Sequence, residues 1–236
     1  MNSNVLLLVL SLFIWSCVAP ETASHLEGKY ERVRELGDFY TAIVYLHELQ
    51  DLGGETHSVY RRLAKCYFEV QNYAPAIKAA DKILEDANEL EKKDLLLIKA
   101  KSYTELAQYT DAIGVYDALA LIDKDLELEY LYQTGVLYNA YGDLGSASLR
   151  MQEIIKNPLA RLVQKNLAFD NAPPEQVTYY QAALNFIGVV QMQAKDLEQA
   201  RLTYEQLLKE PKPFRLAMEN YNTLLQIIET EKVRTE

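Results

Sequence analysis

Gly142-Asp143-Leu144 is a tight polar turn, and three residues beyond it stands Ala147. The same arrangement occurs at Gly37-Asp38-Phe39 with Ala42, Gln71-Asn72-Tyr73 with Ala76, Ala107-Gln108-Tyr109 with Ala112, and Lys195-Asp196-Leu197 with Ala200. The alanines therefore step by 34, 36, 35 and 53 residues. A spacing of this size belongs to stacked helix–turn–helix units, none of which buries its own apolar face. The expected fold is all-α, and such an array acts by holding a partner rather than by chemistry.

Both flanks of each turn carry the pattern of a packed helix pair. Four and seven residues beyond the alanines come Leu46 and Leu49, Ala80 and Ile83, Tyr116 and Leu119, Met151 and Ile154, and Tyr204 and Leu207. That spacing is the buried stripe of an amphipathic helix. In the helix before the turn a large, a small and an aromatic residue recur: Leu63, Ala64, Tyr67; Lys99, Ala100, Tyr103; Thr134, Gly135, Tyr138. Ile187, Gly188, Gln191 and the terminal Lys29, Tyr30, Val33 follow it more loosely. The small residue lets the paired helices approach, and a bulkier side chain there would overpack the contact at about 1–3 kcal/mol.

On these residues the chain resembles the tetratricopeptide repeat (TPR) family. The resemblance implies a right-handed superhelical solenoid of about five units across residues 24–211, at about 24–54, 57–88, 93–124, 128–157 and 178–211. A capping helix over 213–231 would close the array, leaving a tail at 232–236. The long fourth step places an insertion at 158–176, where Leu159 to Phe169 has room for one or two helical turns. Asn171-Ala172-Pro173-Pro174 is expected as a loop. This insertion reads either as a longer connector or as a partner-binding element.

In the family the first helix of each unit lines a concave groove. Carried over by register, the groove residues are Arg61, Lys65 and Phe68, then Lys101, then Tyr132, Val136 and Asn139, then Asn185 and Val189. The cations suit carboxylates of a peptide, the apolar residues suit its side chains, and the amides suit its backbone. The family's clamp for a peptide C-terminus is broken by Ile98, Glu129 and Gln133. For single charges the alternative is an ordinary solvated face.

Val5 to Trp15 is an apolar run of eleven residues, too short to span a bilayer as a helix. It leads into Ile14-Trp15-Ser16-Cys17, which resembles a bacterial lipobox. That resemblance implies a lipoprotein signal peptide at 1–16, lipid on Cys17, and a tether over 17–23. Val18 follows the cysteine where the inner-membrane retention signal of some bacteria has Asp. The location expected is the bacterial cell envelope, at the outer membrane and facing the periplasm. Ordinary signal cleavage and an uncut anchor are the competing readings.

The 236 residues carry a net charge of −10, which repels nucleic acid as a bulk partner. Cys66 sits among apolar residues and reads as a buried thiol. His25, His47 and His57 match no metal motif, and neither a phosphate loop nor a nucleophile elbow occurs. No enzymatic activity, cofactor or metal is expected. The function expected is a lipid-anchored periplasmic adaptor that binds a protein or peptide in its groove. The alternative is a soluble secreted or periplasmic module for a substrate or glycan, and homo-oligomerisation is left open.

Overall fold

The computed structural model describes residues 22–53, 56–169, 172–212 and 214–235. The expected signal peptide at 1–16, Cys17 and most of the expected tether lie outside the described residues. Within them stand eleven α-helices: α1 (Ala23–Glu35), α2 (Phe39–Asp51), α3 (His57–Glu69), α4 (Tyr73–Asp81), α5 (Glu89–Glu105), α6 (Tyr109–Ile122), α7 (Glu127–Tyr141), α8 (Leu144–Lys156), α9 (Tyr179–Gln193), α10 (Leu197–Leu207) and α11 (Arg215–Thr235). The chain divides between Asp86 and Ala87 into two compact units. The first holds α1–α4, the second α5–α11.

The five turns share one backbone geometry. Gly37, Gln71, Ala107, Gly142 and Lys195 all take positive φ, between 55° and 91°. At each, the next residue's N–H donates to the carbonyl five residues earlier, from Asp38 to Val33, Asn72 to Tyr67, Gln108 to Tyr103, Asp143 to Tyr138 and Asp196 to Gln191, at 2.8–2.9 Å. This closes the first helix in a left-handed C-terminal cap. Asp38, Asp143 and Asp196 then cap the second helix, accepting from the N–H of Thr41, Ser146 and Gln199. One polar residue thus stops one helix through its backbone and starts the next through its side chain.

Behind the turns the core follows the sequence spacing. All five post-turn alanines are fully buried, and the ten residues four and seven positions beyond them are buried. Gly188 lies against the ring of Tyr204, where a Cβ would stand 2.6 Å from Cζ, and Gly135 lies against the Cε of Met151. The helices touch in sequence order within each unit, α1–α2–α3–α4 in the first and α5 through α10 in the second. α11 packs on α10 and α9, burying Ala217 and Leu224. It stays helical through Thr235, past the expected end at 231, with Lys232 and Arg234 in its last turn. Basic residues there oppose the negative end of the helix dipole.

The insertion departs from expectation. Pro158–Arg161 forms one 3₁₀ turn, and the chain then makes a β-hairpin, β1 (Gln164–Phe169) and β2 (Ala172–Thr178). The strands are antiparallel, with Lys165 opposite Val177, Leu167 opposite Glu175 and an irregularity between Leu167 and Phe169. Ala172-Pro173-Pro174 belongs to β2 rather than to a loop. Strand spacing puts Lys165, Leu167, Glu175 and Val177 on one face, and that face is the one that packs. Val177 is buried and Leu167 joins the second unit's core.

Candidate protein-binding faces

In the first unit α3 carries the expected binding side chains. Arg61 and Lys65 are exposed on α3. Phe68, one turn further, is half-buried, edge-on to Tyr73 at 5.9 Å between ring centroids. Other charges here serve the fold. Arg62 pairs with Glu27 and lies over the Tyr30 ring at 5.0 Å, joining α3 to α1. Burial pushes the Tyr30 phenol up to about 12 and the Cys66 thiol up to about 11, so both stay neutral at pH 7. The buried Cys66 agrees with its sequence reading.

In the second unit the expected residues separate into three groups. Lys101 on α5 is exposed. Val136 and Asn139 on α7 and Val189 on α9 are half-buried, and the Oδ1 of Asn139 is buried with no hydrogen-bond partner among the described residues. A carbonyl oxygen in that state is costly unless something donates to it. Tyr132 and Asn185 are occupied by the protein itself. The Tyr132 ring meets Tyr179 and Phe186 edge-on at 6.4 and 6.0 Å, with the Lys165 ammonium 4.3 Å above it. Asn185 is buried and accepts from the Nδ2 of Asn220 on α11 at 3.0 Å. The structure therefore assigns Tyr132 to holding the hairpin and Asn185 to holding the capping helix.

The hairpin's anchor is an ionic cluster that the sequence reading did not assemble. Lys165 donates to Glu129 Oε2 at 2.7 Å, Tyr179 to the same oxygen at 2.6 Å, and Gln133 Nε2 to Oε1 at 2.6 Å. The Lys165 side chain is 10% exposed. Burial pushes the Glu129 carboxyl up, but the bonds from Lys165, Tyr179 and Gln133 outweigh it and hold the group below its ordinary range. Burial and the neighbouring Glu129 raise Tyr132 to about 12 and move Tyr179 the same way. The readable signal was the alternation Lys165, Leu167 against Gln164, Asn166, with the turn-formers Asp170-Asn171 before the second run.

A polar cleft of about 560 Å³ opens beside the hairpin base, lined by Arg161, Gln164, Gln176 and Gln181 among others. Arg161 pairs with Glu210 at 2.9 Å and sits over Tyr180, with its Cζ 3.4 Å from the ring centroid. The ring face a sugar would stack on is thereby taken by the guanidinium.

Solved structures share this fold. A tetratricopeptide repeat protein from Parabacteroides merdae is similar over 91% of this chain and 79% of its own, with 17% identity and a TM-score of 0.57. A MamA crystal structure is similar over 86% of this chain and 96% of its own, at 14% and 0.54. MamA from Desulfovibrio magneticus covers 79% and 93%, also at 14% and 0.54. No family model and no curated protein matches the sequence. At such identities the likeness establishes the fold: a nearly all-α helical solenoid of TPR type.

Proposed function

We propose that this chain is a protein-binding scaffold, held by lipid on Cys17 at the bacterial outer membrane and facing the periplasm. Its first-helix faces hold a protein or peptide partner. In the first unit Arg61 and Lys65 offer charge beside Phe68; in the second, Val136 and Val189 offer apolar surface. The observation that carries the reading is that Val136 and Asn139, one turn apart on α7, and Val189 on α9 stay part-exposed beside the buried stripes of the same helices. Val136 and Val189 suit the side chains of an extended segment, and the part-exposed Asn139 amide suits its backbone. The hairpin over Tyr132 limits the available face of α7 to its C-terminal half.

Arg61→Glu with Lys65→Glu tests the first unit, and Asn139→Ala with Val189→Glu the second. Each pair should remove a specific co-purifying envelope protein without lowering helix content. A partner retained by both variants would overturn the assignment of these faces. Palmitate labelling tests the anchor separately. Incorporation should vanish in Cys17→Ser, and label surviving that change would refute lipidation at Cys17.

A further inference from the structure

The first unit has a second candidate surface, on a side of α3 that the proposed function does not use. A cleft of about 320 Å³ opens where α2, α3 and α4 meet. Leu63 and Ala79, both buried, form its floor, with Tyr60, Tyr67 and Pro75 around it. Its size is at the small end of ligand pockets, enough for one large side chain. Tyr60, Leu63 and Tyr67 stand roughly 120° round α3 from Arg61, Lys65 and Phe68, at about 100° per residue.

The rim is cationic. Lys78 on α4 and Lys82 at its C-cap are exposed, four residues apart. Neither ammonium has an ion-pair or hydrogen-bond partner among the described residues. Like charges at this spacing repel slightly and contribute nothing to the helix. In a chain with 34 acidic against 24 basic residues, two adjacent lysines without acidic partners are left to an outside anion. His47 completes the rim, held at 2.8 Å from Gln50 Oε1 and 2.7 Å from the Tyr67 hydroxyl. Those bonds fix the Tyr67 ring against the cleft.

We infer that this cleft binds an acidic peptide segment, seating one apolar or aromatic side chain on Leu63 and Ala79 and pairing its carboxylates with Lys78 and Lys82. The apolar floor favours a peptide over a phosphate group, which would leave that floor in water. The probe is a fluorescein-labelled pentapeptide, phenylalanine flanked on each side by two glutamates, titrated with the full chain and read by anisotropy. Lys78→Glu with Lys82→Glu should weaken binding about tenfold or more. Lys78→Gln with Lys82→Gln should weaken it less, and Arg61→Glu with Lys65→Glu should leave it unchanged. Replacing the phenylalanine by alanine should also weaken it. The inference fails if both glutamate pairs act equally, since net charge alone would then explain the binding. It fails if the alanine peptide binds as well, or if phosphatidylglycerol vesicles bind with the same lysine dependence while the peptide does not. Because Arg61 and Lys65 lie on the other face, loss of that face's partner leaves this result untouched.

Discussion

Gly135 and Gly188 occupy the same position of successive repeats, yet alanine should destabilise only at Gly188. At Gly188 the new Cβ would stand 2.6–2.7 Å from two ring carbons of Tyr204. That ring is fully buried, and its hydroxyl donates to the Asn185 carbonyl at 3.4 Å. It has nowhere to move except by pushing α9 from α10, an overpacking cost of about 2–3 kcal/mol. Alanine gives back about 1 kcal/mol of helix propensity, so the net loss is about 1–2 kcal/mol. At Gly135 the contact is nominally closer, 2.4 Å, but the atom met is the terminal methyl of Met151. A methionine end swings aside through its own torsions, so Gly135→Ala should be neutral or stabilising by up to about 0.5 kcal/mol. Urea unfolding followed by far-UV circular dichroism reads both, as shifts in midpoint at constant slope. Equal losses, or the larger loss at Gly135, would refute the claim that rigid aromatic packing sets the helix spacing in the last unit.

Other consequences follow from the turns, the ionic cluster and the capping helix. Glycine at Gln71, Ala107 or Lys195, each at positive φ, should stabilise by about 0.5–1 kcal/mol per site by thermal melting, and a loss would show those turns are shaped otherwise. Glu129→Gln should cost about 1–3 kcal/mol at pH 7. The folded Glu129 carboxyl lies below its ordinary value of 4.5, so its stabilisation is complete above that pH and fades as pH falls through the folded value. Urea titrations at pH 7 and pH 3 should therefore show the variant's deficit shrinking in acid; a constant deficit would exclude the ionised cluster. Glu175 Oε1 accepts from the Arg215 N–H at the start of α11, at 3.4 Å. Glu175→Ala should speed amide exchange in the first turn of α11 and cost about 0.5–1 kcal/mol, whereas unchanged exchange would show that α11 is capped without it.

The helix pairs were legible because local sequence alone determines them. Alanine three residues past a polar turn, with Leu, Tyr or Ile four and seven residues on, needs no knowledge of distant contacts. The proposed binding faces of α3 and α7 are read from the same helical register. The hairpin was not legible as strands because its two runs are short and about half polar, and one contains Pro173-Pro174. What stabilises them is Lys165 meeting Glu129, Tyr132 and Tyr179, residues 33 or 36 positions before it and 14 after. Asn185 was misplaced for a similar reason. Its position on α9 suits a binding face, but α11 returns over it and brings Asn220 within bonding distance. Register tells which way a side chain points, and not which later element will cover it.

The account rests on the first-helix faces being where a partner is held, and photocrosslinking in living cells reaches that claim most directly. A photoreactive residue placed in turn at Lys65, Lys101, Val136 and Val189 should give a shared adduct of defined mass. The same residue at Gln152, exposed on α8, should give none. Adducts from Gln152 alone, with the first-helix positions silent, would contradict the account.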